Sequence, residues 1–219
     1  MLLEYLPLLK RKRVVLASAS PRRRELLELL GLNFQVKASS FSEDLPHDNF
    51  SSAAAYAAET ATHKAIAVAR ETVDGNGLAD IVIGSDTVVE FDSDILEKPA
   101  DEADAFKVLS RLSGKTNYVH TGVVIILPGV PDPKVGQPPL IRSFTESTAV
   151  EFADLSPELI RAYIATGEAF GKAGSYGIQG TAGSFVKGLK GDYFNVMGFP
   201  IHRFSQEIVK MIKEGLISE

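Results

Sequence analysis

VVLASASPRRRELLELLG, residues 14–31, is where the fold first declares itself. Val14–Ala17 is an uninterrupted apolar run short enough for a buried strand. Pro21 then suits the first turn of a helix, where its missing N–H costs nothing. Leu26, Leu27, Leu29 and Leu30 give that helix, expected over 21–30, an apolar face, and Gly31 closes it. Strand, tight turn and helix in this order predict an α/β unit. The turn also gathers Ser18, Ser20, Arg22, Arg23 and Arg24. A helix N-terminus carries free N–H groups and partial positive charge, and two hydroxyls and two guanidinium groups beside it suit a phosphate chain. Adjacent helical residues point ~100° apart, so three arginines cannot share one ligand, and Arg24 is assigned to solvent. The alternative is that all three form a solvated face.

Outward from this unit the pattern stays mixed. A second strand is expected over 34–37, then a polar acidic loop over 41–49 holding Glu43. Alanine-rich residues 51–73 predict a long helix with Ser51 or Ser52 as N-cap, ended by DGNG at 74–77. Ile81–Gly84 reads as a core strand, and 88–91 continues extended. ILEKP at 95–99 leads into a helix over 101–112, followed by a long strand over 119–127. Proline-rich residues 128–139 form an exposed loop to a partner strand over 141–152. Ser156 and Pro157 open a helix over 155–166, and residues 171–183 form a glycine-rich loop. Residues 185–189 and 193–197 read as a hairpin around Lys190-Gly191-Asp192, before a last helix over 200–213. At least one antiparallel pair therefore lies in the second half.

Composition removes several classes of function. The 219 residues are 45% hydrophobic and 23% charged, as in an ordinary globular chain. There is no cysteine, which excludes disulfides and thiolate zinc sites. A net charge of −5 argues against a nucleic-acid partner. No apolar run reaches the ~18 residues of a membrane span, so no membrane partner is expected. MLLEYLPLLKRKR carries its charge after its apolar stretch, the reverse of a signal peptide. Residues 1–12 are read as a short extension with a helical turn, 13–219 as one domain, and the location as cytoplasmic.

Four stretches carry chemistry. The first is the arginine turn. The second is IGSDT at 83–87, where Asp86, at the end of an apolar strand, can hold a divalent cation or position a water; the alternative is a turn cap. In ILEKP, Lys98 can bind phosphate while Glu97 pairs with it or faces a metal, unless both are a surface pair. In KAGSYGIQG at 172–180, glycines allow close approach of a ligand, Gln179 can read a base edge, and Tyr176 can support or stack; the alternative is a flexible loop. Glu43, and Lys64 with Glu59 five residues before it, join these as candidates.

SASPRR at 18–23, GSDT at 84–87, LEKP at 96–99, LSGKTNYVHTGV at 112–123, KAGSYGIQG at 172–180 and GDYFNVMGFP at 191–200 occur in this order. Together they resemble the Maf family of nucleoside triphosphate pyrophosphatases, over about residues 13–212. The chain is also similar to the Maf-like domain that eukaryotic proteins fuse to a methyltransferase-like domain, as in acetylserotonin O-methyltransferase-like proteins. The resemblance implies an α/β fold with a mixed twisted sheet, helices on both sides, and two lobes around a central cleft. It implies cleavage of a nucleoside triphosphate to the monophosphate and pyrophosphate, a house-cleaning activity dependent on Mg²⁺, Mn²⁺ or Co²⁺, in a homodimer. Asp86 matches the family's proton acceptor. Arg22 and Arg23, after Ser18 and Ser20, match phosphate-binding positions. Lys64 and Lys98 match the lysines that hold the triphosphate. Glu43 matches an acidic partner of Asp86 at the metal, and Thr87 and Gln179 match base-selecting positions. GIQG at 177–180 with Thr87 looks like the branch acting on dTTP and UTP. The alternatives are the 7-methyl-GTP branch, a nucleotide-binding regulator of cell division without turnover, and an ITP-type house-cleaning enzyme. The long 128–139 loop departs from the more compact bacterial pattern.

Overall fold

A computed structural model describes residues 1–43, 45–72 and 78–218. The chain begins with a 3₁₀ turn over Leu2–Tyr5 and helix α1 (Leu6–Leu9), which bury Leu2 and Leu9. Then come β1 (Val14–Ala17), α2 (Pro21–Leu29) and a two-residue β2 (Gln35–Val36). Gly31 follows α2 at φ +73°, where glycine is favoured. Helix α3 (Ala53–Glu71) is capped by Ser52, whose side chain accepts from the Ala55 N–H. The DGNG stretch expected to end it lies outside the described residues.

One strand, β3 (Ile81–Phe91), runs through the stretch the sequence divided after Gly84. Asp92 and Ser93, both at positive φ, turn it into β4 (Asp94–Leu96). Helix α4 (Glu102–Leu112), β5 (Thr116–Leu127), the exposed 128–139 connection, β6 (Leu140–Phe152) and α5 (Pro157–Ala165) follow. The chain ends with β7 (Val186–Lys190), α6 (Tyr193–Met197) and α7 (Ile201–Lys213).

The sheet order is β2-β1-β3-β5-β6-β7, with β4 also on β3; β2, β1 and β3 are parallel and every other pairing is antiparallel. Alternation in β3 and β5 clothes both faces. Ile81, Ile83, Val123 and Ile125 pack with Leu26, Leu27, Phe204 and Ile208. On the opposite face Val82, Val124 and Ile126 pack with Ala61, Ala65 and Val68 of α3. The far ends of the long strands join α4 and α5 in a separate cluster around Leu109, Phe152 and Tyr163. The cleft opens where these two regions meet. Among the described residues no helix is long and apolar enough to cross a membrane.

The expected hairpin around Lys190-Gly191-Asp192 is not formed. Tyr193–Met197 is the short helix α6. Its aromatic and branched residues suit a strand, but Asp192 accepts from the Phe194 N–H at 2.8 Å and Gly198 stops the turn at φ +115°. Fully buried Asn195 ties this helix to the sheet, donating to Val119 O and Thr148 Oγ1, both at 3.0 Å. Asn195→Ala removes both bonds; Thr148 Oγ1 still accepts from the Asp192 N–H at 3.0 Å, so the loss falls mainly on the buried link to Val119 O, at about 1–3 kcal/mol. The expected drop in thermal midpoint is ~3–10 °C, read by circular dichroism; an unchanged midpoint would mean that these bonds do not hold α6.

Candidate active-site cleft

The position of Asp86 follows from strand pairing. β1 runs alongside β3 only as far as Ala17 opposite Gly84, and β4 pairs with β3 only from Val89 onward. Between them one edge of β3 has neither neighbour, while Asp86 lies opposite Gly122 of β5 on the other edge. The carboxylate thus sits mid-strand, at a gap left by the end of β1, and not at the end of its own strand as the sequence suggested. Open α/β sheets place ligands in such crevices.

On the face that Asp86 shares with Val82, α3 supplies Lys64. The inward stripe of α3 reads Ala53, Tyr56, Ala57, Thr60, Ala61, Lys64, Ala65, Val68, so a lysine replaces a core residue. Only 6% of it is exposed, as of Asp86. Its Nζ donates to Asp86 Oδ1 at 2.8 Å and meets Glu43 Oε1 at 2.9 Å. Lys98, largely exposed, reaches Glu43 Oε2 at 3.9 Å. Burial raises the Glu43 pKa, but the hydrogen bond and charge of Lys64, with Lys98 and Arg23, outweigh it and hold the carboxyl below its ordinary 4.5. This clamp on the acidic loop is therefore complete above pH 4.5 and released as pH falls through the lowered folded value. Glu97 pairs with His47 (3.0 Å) and not with Lys98, fastening the same loop a second time. Glu59 pairs with His63, away from Lys64.

The opposite side of β3 presents Thr87 to the arginine turn. Arg23 donates through Nη2 to Thr87 Oγ1 (3.0 Å), through Nη1 to buried Ser18 Oγ (3.1 Å), and through Nε to Gly198 O (3.1 Å). Burial lowers its pKa, with Asp86 and Glu43 opposing. The Ser20 N–H also donates to Ser18 Oγ, and Ser20 caps α2 without a side-chain bond of its own. Arg22 lines the cleft and is likewise pulled down, first by burial. Arg24 turns away to Glu28 at 2.8 Å on the exposed face, where the sequence assigned it. Gln179 lies exposed at the cleft, whereas Tyr176, which also lines it, is buried and donates to Asn117 Oδ1 at 2.9 Å, the supporting role of the two that the sequence offered. Burial holds the Tyr176 hydroxyl far above the usual tyrosine range.

The cleft has a volume of about 510 Å³, and every residue that the sequence assigned to catalysis, substrate or metal lines it. Three further components carry no such assignment in the sequence reading. Thr121, opposite Thr87 in register, bonds its hydroxyl at 3.0 Å and donates to Asn195 O, linking α6 to the arginine turn. Tyr56 lines the cleft from α3, its pKa raised by burial and by the Glu97, Asp86 and Glu43 charges. Lys172 adds a further cation. Asp192 and Gly198 bracketing five residues signal the short helix, and a cation opening a glycine-rich loop signals Lys172.

Among the described lining residues, five cations (Arg22, Arg23, Lys64, Lys98, Lys172) outnumber three carboxylates (Glu43, Asp86, Glu97). In a chain of net charge −5 this local excess suits a polyanion. Asp86 Oδ1 and Glu43 Oε1 share the Lys64 ammonium at 2.8 and 2.9 Å, which leaves the second oxygen of each carboxylate for a divalent cation. No group of three or more potential metal-ligating side chains occurs among the described residues. Two carboxylates completed by phosphate oxygens and water fit Mg²⁺-type binding and not an all-protein cage.

The profile of the Maf-like protein family matches residues 13–211. The chain is 45% identical over 201 residues to a human protein named probable bifunctional dTTP/UTP pyrophosphatase/methyltransferase protein; the match covers 91% of this chain and 32% of that one, so the chain spans about a third of this relative's length. It is 44% identical over 197 residues to a dTTP/UTP pyrophosphatase of Bacillus cereus (strain ATCC 10987 / NRS 248), covering 90% and 89%. The dTTP/UTP pyrophosphatase of Bacillus anthracis is 43% identical over 197 residues, covering 90% and 94%.

Proposed function

The chain belongs to the Maf-like family, and from that premise we propose that it hydrolyses dTTP and UTP to the monophosphate and pyrophosphate. The observation that carries this reading is the convergence of Asp86, Lys64, Glu43 and the arginine turn in one cleft with a cationic excess. Relatives at 43–45% identity bear the name dTTP/UTP pyrophosphatase.

Attack of water on the α-phosphorus forms a P–O bond and breaks the bond to the oxygen bridging to the β-phosphorus. Asp86 accepts the water's proton, and Lys64 fixes the direction of its carboxylate. Arg22, Arg23, Lys98 and the N-terminus of α2 take up the charge of the leaving pyrophosphate. Glu43 and Asp86 would hold the divalent cation, Mg²⁺, Mn²⁺ or Co²⁺. When bound, it neutralises phosphate charge and acts as a Lewis acid. Thr87, bonded to Arg23, and Gln179 select the base. The protein acts as a cytoplasmic homodimer in clearing pyrimidine nucleotides, canonical or modified.

A panel of dTTP, UTP, CTP, 7-methyl-GTP, GTP, ATP and ITP with Mg²⁺ or Mn²⁺ tests this. Pyrophosphate release from dTTP and UTP at least ~10-fold above the others in kcat/KM is expected. Preference for 7-methyl-GTP or ITP would overturn the pyrimidine assignment. Release from none would overturn the reaction.

A further inference from the structure

We propose that Lys172 fixes the sense in which the base is read: its ammonium donates to the 4-carbonyl oxygen of uracil or thymine and rejects cytosine, which carries an amino group there. The proposal rests on the reaction above and adds the residue that chooses between pyrimidines.

The glycine-rich loop is seated on the apolar part of the cleft wall. Val89, Leu96, Val119, Ala173 and Val196 line the cleft and belong to, or pack against, the cluster around Leu109, Phe152 and Tyr163. The Gly174 N–H holds the loop there by donating to Glu97 O at 3.3 Å. A Cβ on Gly174 would stand 2.9 Å from the Val89 side chain. An apolar wall suits the ring of a nucleotide and not its phosphates, which would lose their water without replacement. Lys172 and Gln179 stand on this loop, and both line the cleft.

Gly177 brings the two side chains together. A Cβ there would stand 2.8 Å from Lys172 Cε, 2.9 Å from Cδ and 3.5 Å from Gln179 Oε1. The Gly180 N–H donates to Gly177 O at 3.0 Å, which closes a tight turn around Gln179. The lysine stem and the carboxamide thus lie over one bare backbone position, and glycine leaves them the space. The Lys172 ammonium is anchored by the backbone carbonyl of Glu168. The Glu168 carboxylate is used elsewhere, accepting from the Thr181 N–H at 2.9 Å and from Thr181 Oγ1 at 2.7 Å. One ammonium donor is spent on the carbonyl, and the others are left for a ligand.

The two groups differ in what they can discriminate. A carboxamide offers N–H on one side and oxygen on the other, and it turns over to suit its partner. Gln179 alone therefore fits the uracil edge, O4 with N3–H, as well as the cytosine edge, an amino group with bare N3. An ammonium donates and never accepts. Beside Gln179 it meets the 4-carbonyl as donor to acceptor, and the carboxamide turns its oxygen to N3–H. The 4-amino group of cytosine sets donor against donor and leaves both unpaired. Thymine and uracil differ only at C5, so this contact accepts both.

The test is the ratio of kcat/KM for UTP to that for CTP, which share sugar and phosphates. A variant that merely loosens the fold lowers both and leaves the ratio. In Lys172→Met the ratio is expected to fall ~10–100-fold, the loss of one charged hydrogen bond. Calorimetry reads the same contact without turnover: the Kd for UMP is expected to rise by at least ~10-fold and that for CMP to change less than ~3-fold. Lys172→Arg, which also only donates, is expected to recover most of the preference. Gly177→Ala pushes the flexible stem aside with the lysine still present and is expected to lower the ratio in the same sense, so the test survives if Lys172→Met misfolds. Gln179→Leu is expected to weaken both nucleotides and keep the preference for UTP. An unchanged ratio in Lys172→Met and Gly177→Ala overturns the proposal. So does a Kd for inorganic pyrophosphate that rises in Lys172→Met as much as that for UMP, which would set Lys172 at the phosphates. Wild-type protein that releases pyrophosphate from no nucleotide overturns the reaction instead, and the UMP and CMP titrations still decide the role of Lys172.

Discussion

Asp86→Asn is expected to lower kcat on dTTP and UTP about 10³-fold, within the span of general-base contributions, with KM within a few-fold of wild type. The substitution keeps shape and volume and removes the proton acceptor. The new side-chain amide can still offer its oxygen to Lys64, so the 2.8 Å contact has a substitute and the cleft keeps its form. The ammonium of Lys64 also keeps Glu43 at 2.9 Å, so its charge is not stranded. The thermal midpoint should therefore move far less than the rate. Lys64→Met makes the contrasting case. It leaves two carboxylates facing each other without the cation between them, so binding and folding suffer together with kcat. Steady-state kinetics of both variants beside their melting curves separate the roles. An Asp86→Asn protein retaining more than about a tenth of wild-type kcat would remove Asp86 from proton transfer.

The sequence exposed the site unevenly, for reasons visible in particular residues. The strand-turn-helix at 14–31 was legible because local signals agree: an apolar run, Pro21 at the helix start and Gly31 after its end. Arg24 was separable from Arg22 and Arg23 by helical geometry alone. Lys64 carried a signal of its own as the one charge in the buried stripe of α3, yet only family resemblance distinguished it from a solvated lysine. The gap beside Asp86 was not legible. It depends on where β1 stops and β4 begins against β3, which is a matter of pairing between distant segments. Tyr193–Met197 misled because strand preference is strong in its residues, while the forces that make it helical are a cap at Asp192 and bonds from Asn195 to two different strands.

Gly122→Ala is expected to lower the thermal midpoint by ~2–12 °C and kcat by at least ~10-fold at temperatures where the protein remains folded. A Cβ on Gly122 would stand 2.5 Å from Ala57 O and 2.6 Å from Ala58 Cα. Both are backbone atoms of α3, so no side chain can rotate aside and the helix itself must move. Overpacking of this kind costs about 1–3 kcal/mol, and each kcal/mol is worth about 2–4 °C in a chain of this size. The effect on rate has a separate origin. Gly122 lies directly across from Asp86 in the sheet, and Lys64 is on the helix that must shift. Gly84 forms the second notch under the same helix, where a Cβ would be 2.6 Å from Ala61 O and 2.7 Å from Ala65 Cβ. Two bare positions on adjacent strands thus let an alanine-faced helix lie low enough for Lys64 to reach Asp86 at 2.8 Å. Lifting the helix lengthens that contact before it unfolds the chain, and displacements near ~1 Å can cost ~10²-fold in rate. Gly84→Ala should resemble Gly122→Ala, and the double variant should lose less than the sum, because one helix movement relieves both clashes. Melting curves and kcat for the three proteins test this. A Gly122→Ala variant with the wild-type midpoint would mean that these glycines do not set the height of α3.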